Sequence, residues 1–138
     1  MISVSGYAAQ QVKAPLTPYS FSRREPKDHD IVIDIQYCGI CHTDIHQTHD
    51  EWQASTFPMV PGHEITGLVR DVGAKANRYR IGDKVAVGCF VDSCRKCDPC
   101  VRGLEQYCIE GPTLTYNSIE RDGENTYSRR IFRQDCGR

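Results

Sequence analysis

Two groups of metal-ligand side chains stand out in this 138-residue sequence. The first opens with Cys41-His42-Thr43-Asp44-Ile45-His46 and closes with Gly62-His63-Glu64, with the only tryptophan, Trp52, between them. A thiolate and an imidazole far apart in sequence but joined by a tight loop are the donors an open, catalytic zinc site needs. The second is Cys94, Cys97, Cys100 and Cys108, spaced C-x2-C-x2-C-x7-C. The short spacings let neighbouring thiols face one centre, and the longer loop returns the fourth from the other side. Four thiolates close a tetrahedral shell with no place for water, which is structural zinc chemistry. An iron–sulfur run would end C-x3-C-P; here the last spacing is x7 and Ile109 follows Cys108. Four thiolates leave a zinc centre near about −2, and Arg95, Lys96 and Arg102 are expected to offset that charge.

Other readings of the first group are weaker. Cys38 and Cys41 form a CxxC after an apolar strand, as at a thioredoxin-like redox site. However, Gly39-Ile40 between them lacks proline, and no later alternation of helices and strands follows. Cys38 is instead expected to be a small buried hydrophobe at a strand end. His42 and His46 are four apart, like the zinc pair of H-E-x-x-H, but Thr43 stands where that motif's general base would be. His29 and His49 lie in polar contexts and are expected to be solvated. His63, between Gly62 and Glu64, is expected to be a ligand.

The elements that must position these groups read mainly as strands. Ile2–Ser5 and Tyr19–Ser22 alternate with period two, with Pro15 and Pro18 as breaks, and Asp30–Tyr37 is the strongest strand. A short helix is expected over 43–48, starting near Thr43 or Asp44. An extended passage through Pro58 and Pro61 follows, then strands over 65–73 and 85–87, the latter buried. From Gly88 to Gly111 a cysteine-rich lobe replaces regular structure, Leu114–Asn125 reads as polar loop, and Thr126–Phe132 as a last strand. Short, turn-separated strands point to a β-rich barrel or sandwich.

Composition agrees with a single globular domain, with acids and bases interspersed and a net charge of −1. No electrostatic partner such as nucleic acid or an anionic membrane is implied. No apolar run reaches the roughly 20 residues that span a bilayer, and the first residues lack a signal peptide's basic and apolar regions. A cytoplasmic location is therefore expected, and with it metal ligation rather than disulfides as the reason for eight cysteines.

The chain resembles the zinc-dependent medium-chain alcohol dehydrogenases, in particular their cinnamyl-alcohol-dehydrogenase-like branch. The motifs that carry the resemblance are Tyr37–Asp44, Pro61–Gly67, Gly82–Val85, Val91–Cys94, Gly103–Cys108 and Thr115-Tyr116-Asn117, and the match spans roughly residues 2–120. It implies a GroES-like β-barrel catalytic domain over 1–132 carrying the zinc lobe at about 88–111, and an unpatterned tail over 133–138. It further implies that Cys41 and His63 hold catalytic zinc, with Glu64 an acidic neighbour that approaches the metal or stands just behind it. Thr43 would contact the alcohol oxygen, His46 would belong to a proton relay, Trp52 would form a wall of the substrate pocket, and Cys94, Cys97, Cys100 and Cys108 would hold structural zinc. The activity implied is hydride transfer between an alcohol or aldehyde and NADP, in a homodimer.

The resemblance also has gaps. The family's third protein ligand to catalytic zinc has no counterpart, since Gln134-Asp135-Cys136-Gly137 does not match its context. No G-x-G-x-x-G occurs, and no strand–helix alternation remains for a Rossmann domain. The sequence thus reads as a truncated chain, with an incomplete barrel and no activity of its own. A non-catalytic structural zinc module is the alternative function, and a CxxC oxidoreductase a more distant one.

Overall fold

The computed structural model describes residues 1–121 and the backbone of 132–133. Cys136 and most of the strand expected over 126–132 lie outside the described residues. The described chain is mainly β, as expected, with strands β1 (Ile2–Ala9), β2 (Leu16–Arg23), β3 (Asp30–Gly39), β4 (Glu64–Val72), β5 (Lys84–Val87), β6 (Phe90–Asp92), β7 (Thr113–Leu114) and β8 (Phe132–Arg133). Two short helices, α1 (His42–Thr48) and α2 (Asp98–Val101), interrupt them. The described strands pair into three sheets, β1-β2, β5-β4-β3-β8 and β6-β7, so their hydrogen bonding does not close a barrel.

β1 and β2 form an antiparallel hairpin from Ile2↔Arg23 to Ala9↔Leu16, longer than the alternation suggests. Pro18, expected to break the chain, lies inside β2 opposite Tyr7. A two-stranded ribbon has only edge strands, and an edge tolerates a residue without an N–H. Two bonds couple this hairpin to the chemistry-bearing loops: Ala9 and Met59 exchange backbone hydrogen bonds at 2.8 and 2.9 Å, and Lys13 N donates to Thr48 O at 2.9 Å.

The core lies on one face of the four-stranded sheet. Ile31 and Ile33 of β3 and Ile65 and Val69 of β4 alternate onto that face and pack with Ala76, while Val72, Tyr79, Val85, Val87 and Val91 cover the margins. Burying a side chain such as Ile65 contributes about 1.5–3 kcal/mol. β5 is half-buried rather than buried, its side chains alternating between exposed and intermediate at the sheet edge. Gly67 is buried where β4 crosses β3, and a Cβ there would meet the Asp34 carbonyl and, at 2.7 Å, Ile33 Cγ2. The close crossing needs glycine.

The cysteine lobe carries more regular structure than expected: β6, α2 and a 3₁₀ turn over Glu105–Tyr107. The stretch expected to begin a polar loop at Leu114 instead starts in β7, and Thr115 and Tyr116 are buried. Thr115 is drawn inward by backbone and hydroxyl bonds, its N donating to Cys89 O at 3.2 Å and its Oγ1 to Gly88 O at 2.5 Å.

Candidate metal centres

Register brings the first group together. β3 and β4 pair antiparallel to their ends, where Gly39 faces Glu64. Cys41 follows β3 by two residues and His63 precedes β4 by one, so the same ladder delivers both to one end of the sheet. Gly39 leaves room for the carboxylate, since a Cβ there would lie 2.6 Å from Glu64 Oε2 and 3.1 Å from Glu64 Cβ. α1 begins immediately after Cys41, which occupies its N-cap.

Asp44, the third residue of α1, ties these pieces into one loop. It is buried; its Oδ2 accepts from Cys41 N at 2.9 Å and its Oδ1 from Gly62 N at 2.9 Å. The first bond satisfies an amide that a helix start leaves open. The second reaches across 18 residues and seizes Gly62, whose φ of 113° suits glycine. His63 Nδ1 lies 3.4 Å from the same Asp44 Oδ1, although it makes no aligned hydrogen bond. Tyr116 stacks on the His63 ring at 5.7 Å with a 20° tilt.

Among the described residues, two groups of three or more ligand-type side chains hold their donor atoms within 4.8 Å of one another. One is Cys41, His63 and Glu64; the other is Cys94, Cys97, Cys100 and Cys108. Thiolate with imidazole and carboxylate, and four thiolates, are both donor sets that suit zinc. In the first group His63 is buried, Cys41 is half-buried and Glu64 is exposed, so access remains from the carboxylate side.

Thr43 and His46 are half-buried and three apart on α1, which places them on the same helix face. His46 Nδ1 pairs with Glu51, whose carboxyl is held below its ordinary range chiefly by that hydrogen bond. The His46 ring also lies 5.2 Å from Trp52 and 4.7 Å from His42. Trp52 is 54% exposed and forms an open flank beside His46. His49, expected to be solvated, is half-buried with Nδ1 3.6 Å from Glu51, and His29 is half-buried as well. Cys38, expected to be buried, is exposed. β3 runs on through Gly39, and its outer half leaves the core.

In the cysteine lobe, turn amides point at sulfur. Cys94 N donates to Cys108 Sγ and Cys97 N to Cys94 Sγ, each at 3.4 Å, and Cys94 Sγ lies 3.9 Å from Cys100 Sγ. The Lys96 amide, helped by that of Cys97, brings the Cys94 thiol down to about 6. At Cys100 a lowering contact from Ser93 is outweighed by burial and the Cys97 and Cys108 thiols, which push it up to about 11. The expected charge partners each also meet a carboxylate: Arg95 with Asp92 at 2.6 Å, Lys96 with Glu110 at 3.0 Å and Arg102 with Asp98 at 3.4 Å. The Cys94 thiolate adds to the rise of the Lys96 pKa behind the larger Glu110 effect. Arg121 also reaches sulfur, its Nη2 3.7 Å from Cys108 Sγ while Nη1 pairs with Glu110.

Sequence reasoning passed over several of these partners. Asp44 had a signal, an acid three residues after the N-cap. Tyr116 and Asn117 belonged to a quoted motif but had no role assigned to them. Asn117 locks the loop beside α1, accepting from Thr56 N at 2.9 Å and Thr56 Oγ1 at 2.7 Å and donating to Gln47 Oε1 at 2.8 Å. Glu51 lies within five residues of His46 but was given no role, and Arg121 had no local signal because it meets Cys108 only in the fold. Two clefts lie away from the first group. One of about 430 Å³ separates the hairpin from β3, and one of about 470 Å³ lies between the Ala54–Thr56 loop and the lobe.

Residues 27–130 match the alcohol dehydrogenase GroES-like domain. Over 126 residues the chain is 53% identical to NADP-dependent alcohol dehydrogenase C of Mycobacterium tuberculosis, a match that covers 91% of this chain and 36% of that protein. A cinnamyl alcohol dehydrogenase structure from Sorghum bicolor superposes with a TM-score of 0.92 at 40% identity, over 98% of this chain and 40% of that one. The structure of CAD from Helicobacter pylori complexed with NADP(H) superposes at 0.90 with 36% identity, again over 98% and 40%. The chain thus spans little more than a third of the curated relative's length.

Proposed function

The chain belongs to the alcohol dehydrogenase GroES-like domain family, and from that membership we propose that it carries the zinc and substrate side of an NADP-linked alcohol dehydrogenase acting on small alcohols and aldehydes. The observation that carries the reading is the meeting of Cys41, His63 and Glu64 donor atoms within 4.8 Å beside the start of α1. Residues 1–132 form the catalytic domain in this reading, working as a cytoplasmic homodimer.

Cys41 and His63, with Glu64 beside them, would hold zinc, which would supply Lewis acidity towards an alcohol or aldehyde oxygen. The protein groups handle the proton. Thr43 presents its hydroxyl to the substrate oxygen from the first turn of α1. His46, one turn further on, takes the proton towards solvent, and Glu51 holds the His46 ring through Nδ1. NADP, which the relatives' names support as the cofactor, would supply the acceptor for the substrate's hydride. Trp52 offers an apolar flank for the substrate next to His46. Cys94, Cys97, Cys100 and Cys108 hold a second, structural zinc.

The test uses cobalt(II) in place of zinc in the 138-residue chain. Cinnamyl or benzyl alcohol is expected to perturb the visible bands of the Cys41-site cobalt and to leave the four-thiolate bands unchanged. If alcohol leaves every band unchanged, the substrate role is wrong. NADPH oxidation with aromatic and aliphatic aldehydes is expected to be absent for this chain alone, and robust turnover would sink that part of the reading. The second reading, a non-catalytic zinc module, draws on the completeness of the four-cysteine group. It predicts one tightly held zinc per chain rather than two.

A further inference from the structure

Tyr116 is a buried aromatic residue that the zinc and proton-relay roles leave unused. It is 5% exposed, and its ring stacks on His63 at 5.7 Å, nearly parallel. The hydroxyl is fully buried without an aligned hydrogen bond. Burial first, and then the Asp44 carboxylate, raise its pKa. Two bonds from Thr115 pin the backbone just before it, and four side-chain bonds from Asn117 pin the loop just after it. A ring fixed on both sides is a firm wall. His63 Nδ1 lies 3.4 Å from Asp44 Oδ1, which also accepts from Gly62 N, but without an aligned hydrogen bond to set the ring's plane.

We propose that Tyr116 is the positioning residue of the first metal group, its ring face setting the plane of the His63 imidazole and so the direction of the nitrogen that faces Cys41 and Glu64. This rests on the reading of Cys41, His63 and Glu64 as a metal site. The ring acts through shape and stacking, and the hydroxyl contributes little. A ligand that is free to swing must be ordered on binding, and that cost appears directly as weaker metal affinity. Groups that orient a ligand from behind typically change affinity by about 10–100-fold when removed.

The probe is cadmium-113 bound to the 138-residue chain, because its NMR shift separates a four-thiolate site from a mixed sulfur, nitrogen and oxygen site. Chelator competition then gives the affinity of each. Tyr116→Leu is expected to broaden or move only the mixed-ligand resonance and to weaken that site about 10-fold or more. Tyr116→Phe, which keeps the ring, is expected to stay close to wild type. The four-thiolate resonance reports folding in every variant. Unchanged mixed-site affinity in folded Tyr116→Leu overturns the proposal, and so does a 10-fold loss in Tyr116→Phe, which would assign the effect to the hydroxyl. If Tyr116→Leu does not fold, the His63 ring protons of the metal-free wild-type chain decide. Upfield displacement by the Tyr116 ring current, retained in Tyr116→Phe, is expected, and its absence overturns the proposal. A wild-type chain with that ring-current shift but no mixed-ligand cadmium resonance would instead refute the metal-site reading, and with it Tyr116's role towards a metal.

Discussion

At the scale of single residues, one carboxylate organises the first metal group. Asp44 accepts from Cys41 N and Gly62 N and lies beside His63, so one buried anion joins both halves of the site. Burying a carboxylate is costly unless donors meet it, and here two amides do. Asp44→Ala leaves those two amides without their acceptor. It is expected to weaken metal binding at the Cys41 group about 10–100-fold, read by chelator competition, with the four-cysteine site unchanged. Glu51 gives a pH prediction. Its carboxyl is lowered mainly by the His46 hydrogen bond, so the folded form favours the ionised state. That contribution is present above the ordinary glutamate range and is lost as pH falls through the depressed value. An NMR titration is expected to find the Glu51 midpoint below that of a free glutamate, and His46→Ala should move it back up.

At the scale of elements, the β3–β4 ladder is what assembles the site. A slip of one residue would turn every side chain to the other face, and it would part Gly39 from Glu64. Two glycines guard that register. Gly67→Ala forces a Cβ against the Asp34 carbonyl and Ile33, and is expected to cost about 1–3 kcal/mol as an overpacked contact, measured as a lower urea midpoint. Gly39→Ala is gentler, because the closest atom it meets is the mobile end of Glu64, with Glu64 Cβ further off at 3.1 Å. It should shift the carboxylate and alter the cobalt spectrum of the Cys41 group while leaving the fold intact. In the lobe, α2 and the 3₁₀ turn are too short to be stable alone, and a metal shared by the four sulfurs is expected to hold them together.

At the scale of the whole molecule, the described residues present two separate metal-competent groups, three small sheets and clefts beside the hairpin and the lobe. No described helix is long and apolar enough to cross a membrane. Because metal binding is folding free energy for a site that does not exist in the unfolded chain, the two groups make different demands. Chelation that empties the lobe is expected to lower the melting temperature strongly, whereas emptying only the Cys41 group should lower it little. Cys97→Ser with Cys100→Ser should remove one metal per chain, measured by elemental analysis, and reproduce the larger loss.

The sequence alone determined what rests on local spacing and residue type. The C-x2-C-x2-C-x7-C lobe, the Cys41 and His63 ligand types with their immediate neighbours, the helix after Cys41 and the strands β3 and β4 were all legible, because each depends on residue types a few positions apart. Pro18 and Cys38 were misjudged for the same reason. Whether a proline is tolerated depends on the strand's being an edge, and whether a cysteine is buried depends on which half of β3 the core covers. Only the tertiary structure decided that Asp44 joins the two ligand segments, that Arg121 comes within reach of the Cys108 sulfur, and that Tyr116 faces His63. Tyr116 and His63 are far apart in sequence, and only the folded packing places one against the other. The donor set of the Cys41–Glu64 stretch was therefore written in its residue types, and its arrangement was set by side chains from distant parts of the chain.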